Sequence, residues 1–347
     1  MLEKASTANS KHCIVIGAGI AGACAADSLA RRGWQVTVLD AAAEPASGAS
    51  GLPVGLFAPY PSADNNFASQ ITTIGAEFTQ LLAARLLING IDWQRSGLKT
   101  RMYGEADVLR ADAGWIKPRA LVQACLSQPG VTWHGDCAVS SLRQQGEDWE
   151  ALGDHMQVLA RAGHIVIAAA NQSAALLSTV AGAPKLTLQA IRGQATFGSL
   201  QDIDVASRSS VPVNGDGSYI ETNSEWLVGA TYDRINLSLE ANITDQVANF
   251  ERLESLLPET ANQLKPVFTR DEVRNWVGIR CASSDRLPIV GEVVQGVWLV
   301  TALASRGLTF APLCAELLAM QMSRETTTHL PLNPRLVKAL GIQRHVK

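Results

Sequence analysis

Residues 13–40 read CIVIGAGIAGACAADSLARRGWQVTVLD, and the fold turns on them. Cys13–Ile16 is an unbroken apolar run, as in a parallel strand covered on both faces. Gly17, Gly19 and Gly22 follow at once in the spacing G-x-G-x-x-G. Ala21 to Arg32 has helical character, with Ala25, Ala26 and Leu29 available to pack on a sheet, and Gly33 is suited to terminate it. Trp34 to Leu39 reads as a second strand ending in Asp40. The pattern predicts an α/β unit of Rossmann type.

Each residue type has a mechanical reason. Gly17 permits the tight turn, Gly19 lets backbone approach a pyrophosphate, and Gly22 lets helix and strand pack closely. Ile20 and Ala21 open a helix whose free amides and positive dipole end suit phosphates. Asp40, with Ala41 after it, stands where a carboxylate accepts ribose hydroxyls. A lone G-x-G-x-x-G is a weak signal; the strand before it, the helix after it and the acid beyond make this one a dinucleotide site. The acid suits NAD or FAD and disfavours NADP. Downstream, ASGASGLPVGLFAPY (residues 46–60) offers a second loop of small residues. Gly48, Ala49, Ser50 and Gly51 allow the close approach that a flavin and its pyrophosphate need; taken alone, the loop reads equally well as plain surface. Ser50 is no hydrolase nucleophile, because GASG lacks the G-x-S-x-G elbow.

Composition narrows the class. The chain has 347 residues, 47% of them hydrophobic, enough for a large core and about two domains. Lys and Arg number 29 against 32 Asp and Glu, a net charge of −3, so the strongly basic balance of a general nucleic-acid binder is missing. A local basic patch for RNA remains compatible with that total. The cysteines at 13, 24, 125, 137, 281 and 314 form no CxxC pair and no zinc-ligand spacing, and read as buried reduced thiols. No metal site is expected. MLEKASTANSK lacks the apolar core of a secretory signal, and no apolar run is long enough to span a membrane. A soluble cytoplasmic protein is expected.

Two later stretches carry chemistry. GIRCASSDRLPIVG (residues 278–291) sets Arg280 among apolar neighbours just before a strand. A guanidinium there either binds a substrate anion or forms a structural ion pair with Asp285 or Glu292. Gly296 to Thr301 reads as a strand, and Ala304, Ser305, Arg306, Gly307, Leu308 and Thr309 lead from it into a helix expected over Pro312 to Met322, with Pro312 in its first turn. That helix start suits the stabilisation of negative charge on a reduced flavin. Tyr232 and Asp233 close the strand GATYD and either line a pocket or pack. Helices are also expected over Glu77 to Ile88 and Val247 to Leu257. Strands are expected over Val131 to His134, Ala138 to Leu142, His164 to Ala168, Leu186 to Phe197 and Trp226 to Ala230.

From about residue 12 to residue 340 the sequence resembles the FAD-dependent D-amino-acid-oxidase superfamily, glycine and sarcosine oxidases among them. Residues 13–40 are shared with many flavoproteins. ASGASGLPVGLFAP, EVRNWVGIRCASSDRLPIVG and ALASRGLTFAPLCAELLAMQM resemble most the oxidase half of bifunctional tRNA 5-methylaminomethyl-2-thiouridine biosynthesis enzymes, as does LNPRLVKAL near the end. Three departures stand out: residues 1–347 offer no match to the methyltransferase half, so a chain without that partner domain is expected, Ala170 in GHIVIAAANQ stands where glycine is usual, and Asp40 stands where glutamate is commoner.

The resemblance implies a Rossmann-like FAD domain (residues 1–75, 112–185 and 275–347) interleaved with a mainly antiparallel α+β substrate domain (76–111 and 186–274). It implies non-covalent FAD held by Gly17, Gly19, Ile20, Ala21, Gly22, Asp40, Ala41, Gly48, Ala49 and Ser50. Val139 would lie near the adenine, Ala169 near the pyrophosphate, and Ser305, Arg306, Gly307, Leu308 and Thr309 near the ring. Arg280 would hold a substrate carboxylate, with Arg306 and Tyr232 as further catalytic candidates. The implied reaction oxidises 5-carboxymethylaminomethyl-uridine at the tRNA wobble position to the 5-aminomethyl form, releasing glyoxylate. A small amino-acid or amine substrate, and a flavoprotein subunit working with a separate methyltransferase, are the alternatives. For tRNA, Lys99, Arg101, Arg110, Lys117, Arg119, Arg335, Lys338, Arg344 and Lys347 are candidate contacts.

Overall fold

The computed structural model describes residues 11–101, 106–209, 211–326 and 330–345; Lys347 lies outside them. Six strands form the central sheet in the order Ile289–Val294, Val297–Thr301, His164–Ile167, His12–Ile16, Gln35–Leu39 and Val131–His134. All neighbours are parallel except the first pair. Alternation sorts the first strand between two layers. Cys13 and Val15 face helices Ile20–Ala30, Pro118–Leu126 and Gly307–Met322. Ile14 and Ile16 face an antiparallel sheet of Ser141–Gln145, Asp148–Leu152 and Val158–Ala162. Full burial of Ile14 contributes about 1.5–3 kcal/mol.

A second, largely antiparallel sheet of seven strands runs Arg274–Ala282, Gln189–Ser199, Glu225–Gly229, Gly217–Glu221, Val213–Gly215, Leu98–Thr100 and Val108–Arg110. Helices Ile243–Leu256 and Pro258–Thr269 cover one face through Leu253, Leu256, Ala261 and Leu264. The other face meets Val54 and Trp115 from a small sheet of Gly55–Phe57, Gly114–Ile116 and Trp93–Gln94. The edge strand Arg274–Ala282 leads directly to Ile289–Val294 and so joins the two large sheets.

Several elements begin elsewhere than the sequence pattern suggests. The helix expected from Glu77 starts at Phe67, because Asn66 caps it by accepting from the Ser69 N–H at 3.1 Å. The helix expected from Val247 starts at Ile243, capped by Asn242 through Asp245 N–H at 2.8 Å. The strand expected from Ala138 begins at Ser141.

The helix expected from Pro312 starts at Gly307, so Pro312 sits inside it rather than in its first turn. Proline has no N–H for the carbonyl of Leu308. The Thr79 hydroxyl, 2.7 Å from that carbonyl and 2.8 Å from Gly75 O, shares its one proton between them and so partly replaces the missing donor across the helix interface. The approach is close because Gly75 faces Thr309, where a Cβ would overlap the Thr309 carbonyl.

Candidate active site

Gly17 has φ +111°, and a Cβ there would stand 2.6 Å from Ala168 O. The turn therefore presses against the end of strand His164–Ile167. A Cβ on Gly22 would overlap Gly17 O. Gly19 is the N-cap of helix Ile20–Ala30. Ile20 N–H donates to Ser50 Oγ at 2.9 Å, so Ser50 turns inward while Gly48 and Ala49 stay exposed. Among the described residues the first-turn N–H groups of Ala21 and Gly22 have no partner. Asp40 accepts from Ala18 N–H at 2.6 Å and Ala42 N–H at 2.9 Å, which fixes its carboxylate at the strand's end beside exposed Ala41. Val139 lies in the loop after Val131–His134, half-buried against the core.

A second helix start meets the first. A Cβ on Gly307 would lie 3.6 Å from Ile20 Cγ2, so the N-termini of Ile20–Ala30 and Gly307–Met322 abut. Leu308 and Thr309 are buried, and Thr309 Oγ1 accepts from Ala58 N–H at 3.2 Å. Ala170, Ala302 and Ala304 flank the site at φ +48°, +61° and +50°. These left-handed conformations favour glycine. Ala170 is held in place by Thr301 Oγ1, 3.1 Å from its carbonyl. Half-buried Ala169 precedes it.

Arg280 Nη1 donates to Thr231 O at 3.2 Å and Arg192 O at 3.4 Å, and its guanidinium lies 4.4 Å from the centre of the Tyr232 ring. Burial lowers its pKa, with the Tyr232 phenol acting in the opposite sense; a guanidinium stays charged throughout the working range. Among the described residues it forms no ion pair. Asp285 instead binds Arg344 Nε at 2.6 Å and Ser283 Oγ at 2.8 Å. Glu292 accepts from Gly296 N–H at 3.0 Å. Tyr232, 60% exposed, has its hydroxyl 2.7 Å from Ser305 Oγ. Arg306, next in the chain, lies 4.4 Å over the Tyr60 ring.

Three supporting residues escape sequence reasoning. Gly193 pairs with Gly278, and a Cβ there would collide with both terminal nitrogens of Arg280. Arg192, fully buried, donates to Ser238 O at 2.6 Å and Glu240 O at 2.7 Å and pairs with Asp245. Gln194 N–H donates to Thr231 Oγ1 at 3.0 Å. Together they clamp residues 231–240, and hence Tyr232, against strand Gln189–Ser199. The only signal was polar residues in a strand that is otherwise core. Of the basic candidates, Arg101 pairs with Asp107 and Arg344 with Asp285. Lys99, Arg110, Arg119, Arg335 and Lys338 form no ion pair among the described residues.

The family profile of FAD dependent oxidoreductases matches residues 12–111 and 98–321. The chain belongs to the FAD-dependent oxidoreductase family. Among sequence relatives of this flavoenzyme is the tRNA 5-methylaminomethyl-2-thiouridine biosynthesis bifunctional protein MnmC of Polaromonas naphthalenivorans, 41% identical over 95% of this chain and 59% of that protein. The protein of the same name from Albidiferax ferrireducens is 38% identical over 96% and 58%. The chain thus spans less than two thirds of the length of these relatives. In fold it is similar to glycine oxidase from Geobacillus kaustophilus, with TM-score 0.78, 16% identity and coverage of 96% of this chain and 99% of that one. Iminodiacetate oxidase from Chelativorans sp. BNC1 gives TM-score 0.73 and 20% identity over 96% and 98%. Among the described residues no helix is long and apolar enough to cross a membrane.

The donors fit the cofactor of this flavoenzyme family. Two free first-turn amides suit a pyrophosphate, the pinned Asp40 carboxylate suits a ribose, and the second helix start abuts the first.

Proposed function

We propose that this flavoenzyme oxidises a secondary amine bearing a carboxymethyl group, and that its substrate is 5-carboxymethylaminomethyl-uridine in the tRNA wobble position. The observation that carries the reading is Arg280, a half-buried cation without a carboxylate partner among the described residues. A guanidinium binds a carboxylate through two parallel charge-assisted hydrogen bonds and so fixes orientation as well as place. Nη1 is already turned toward two carbonyls and the Tyr232 ring covers one face. Nη2 and Nε remain for the substrate.

FAD, when bound, supplies the two-electron acceptor for a carbon–nitrogen oxidation. The chain holds it through Gly17, Gly19, Ile20, Ala21, Gly22, Asp40, Ala41, Gly48, Ala49, Ser50, Val139, Ala169 and the segment Ser305 to Thr309. The residues around it bind and aim. Arg280 anchors the carboxylate, the clamp of Arg192 and Gln194 keeps Tyr232 over Arg280, and the Tyr232–Ser305 hydrogen bond ties that wall to the helix start. Loss of a hydride from the carbon between nitrogen and carboxylate to that acceptor, and of the nitrogen's proton to water, would give an imine, which water hydrolyses to glyoxylate and the 5-aminomethyl amine. The reactive amine must be neutral, so turnover rises with pH until the substrate amine is deprotonated. FAD stays non-covalent in this reading: Cys281 is buried, and burial raises its thiol pKa away from a reactive thiolate. The identity of the 41% relative supports tRNA as the substrate.

The test is anaerobic bleaching of the flavin band near ~450 nm, the absorbance that the cofactor contributes. Purified protein is mixed with tRNA carrying the carboxymethylaminomethyl base and, separately, with glycine and sarcosine. Bleaching by the tRNA is expected, with glyoxylate released and with loss of turnover but not of FAD in Arg280→Ala. Bleaching by the small amines alone would move the function to small-molecule oxidation. Full activity in Arg280→Ala would remove the carboxylate role.

A further inference from the structure

At the mouth of the site two arginine–tyrosine stacks stand side by side. Arg280 lies on Tyr232, whose hydroxyl touches Ser305; Arg306, the next residue, lies on Tyr60. The inner stack surrounds the carboxylate anchor. In the outer one Arg306 belongs to the segment assigned to the cofactor, but Tyr60 has no role in the reaction as described, yet it is firmly held. Tyr60 N–H donates to Thr72 Oγ1 at 2.9 Å and Ser62 N–H to Ser69 Oγ at 3.2 Å, both on helix Phe67–Leu86. These bonds fix the backbone of a tyrosine that is still 57% exposed. One ring face is covered by Arg306, and the phenol forms no hydrogen bond among the described residues. An aromatic ring fixed at its backbone, backed by a cation and open on the other side is the arrangement on which unstacked nucleobases rest.

We propose that Tyr60, backed by Arg306, is the platform for the pyrimidine ring of the substrate and sets the preference for a nucleotide over a small amine. This rests on the uridine reading above. In that substrate four bonds separate the carboxylate carbon from the base. With the carboxylate on Arg280, the ring emerges at the rim formed by Tyr232, Ser305, Arg306 and Tyr60. Tyr60 is a specificity-determining residue and takes no part in the chemistry.

The experiment compares two ligands that share the arm and differ in the ring: the nucleoside 5-carboxymethylaminomethyl-uridine and N-ethylglycine. Their dissociation constants are read from the ligand-concentration dependence of the flavin-reduction rate on rapid anaerobic mixing with the FAD-loaded protein, for wild type, Tyr60→Ala, Tyr60→Phe and Tyr60→Trp. Tyr60→Ala is expected to weaken the nucleoside about 5- to 150-fold, the range for one base–aromatic stack, and to leave N-ethylglycine unchanged. Tyr60→Phe and Tyr60→Trp are expected to retain nucleoside binding. Equal weakening of both ligands would mean that Tyr60 merely supports Arg306, and no weakening of either would mean that the ring rests elsewhere; both overturn the proposal. If wild type binds the nucleoside no better than N-ethylglycine, the uridine reading itself fails, and the platform with it.

Discussion

Gly193→Ala tests whether the seat of Arg280 controls turnover. A Cβ at residue 193 would stand 2.6 Å from Arg280 Nη2, closer still to Nη1, and 2.6 Å from Thr231 O. Carbon and nitrogen sit comfortably at about 3.5 Å, so the guanidinium must withdraw by about 1–1.5 Å. It cannot withdraw sideways without leaving the Tyr232 ring and the Thr231 carbonyl, 4.4 Å and 3.2 Å away. A carboxylate bound by two charge-assisted hydrogen bonds would then keep one. Each is worth about 1.5–3 kcal/mol, so kcat/KM should fall about 10- to 150-fold. A misplacement of this size costs about 100-fold in well-aligned sites, which agrees. The added methyl also overpacks the sheet by about 1–3 kcal/mol, so activity is normalised to FAD content and measured well below the melting temperature. The assay is steady-state oxidation of a carboxymethyl amine, with glyoxylate as product. Arg280→Lys, which keeps the charge but loses the fork, should show a loss of similar size. A Gly193→Ala enzyme with full flavin and kcat/KM within about twofold of wild type would refute the reasoning.

Other consequences can be measured on the folded chain. Thr79→Val leaves the buried Leu308 carbonyl without a donor and should cost about 1–3 kcal/mol in urea unfolding; in a Pro312→Ala background the new N–H restores the bond, so the same substitution should cost much less. Ala170→Gly relieves a left-handed alanine worth about 1–2 kcal/mol but loosens the unfolded chain by about 0.4–1, so a net gain of about 0.5 kcal/mol is expected in the same assay. Burial alone would push the Asp285 carboxyl up, but hydrogen bonds from Arg344, Ser283 and Leu287 N–H overcome it and hold the pKa at about 2. A depressed pKa stabilises the fold above the ordinary carboxylate range and stops doing so as pH falls through the folded value. The stability gap between wild type and Asp285→Asn should therefore be widest near neutrality and shrink between about pH 4 and pH 2; a gap that is constant with pH would sink that account.

What the sequence made legible was local. The strand, glycine turn, helix and acid of residues 13–40 are neighbours in the chain as well as in space, so spacing alone places them, and Ile20–Ala30 and Gln35–Leu39 fall where the pattern puts them. Arg280 was legible as a residue type, an isolated cation among apolar neighbours, but not by its partners. Those depend on strand register: Ile191 lies opposite Arg280, and Thr231 reaches it only because residues 231–233 add to the strand carrying Gly193. Read along the chain, Gly193 only weakens a strand; across the sheet it is the space a guanidinium fills. Pro312 shows the same limit from the other side. Proline is commonest in a helix's first turn, and that rule placed the helix start too late, since a hydroxyl from Thr79, far away in sequence, supplies what the proline lacks. Tyr60 is the extreme case. It follows a short strand in a loop with no periodicity, and its meaning depends entirely on Arg306 arriving from the other end of the chain. Chemistry in this flavoenzyme is thus readable where one segment carries it, and hidden where two segments must meet.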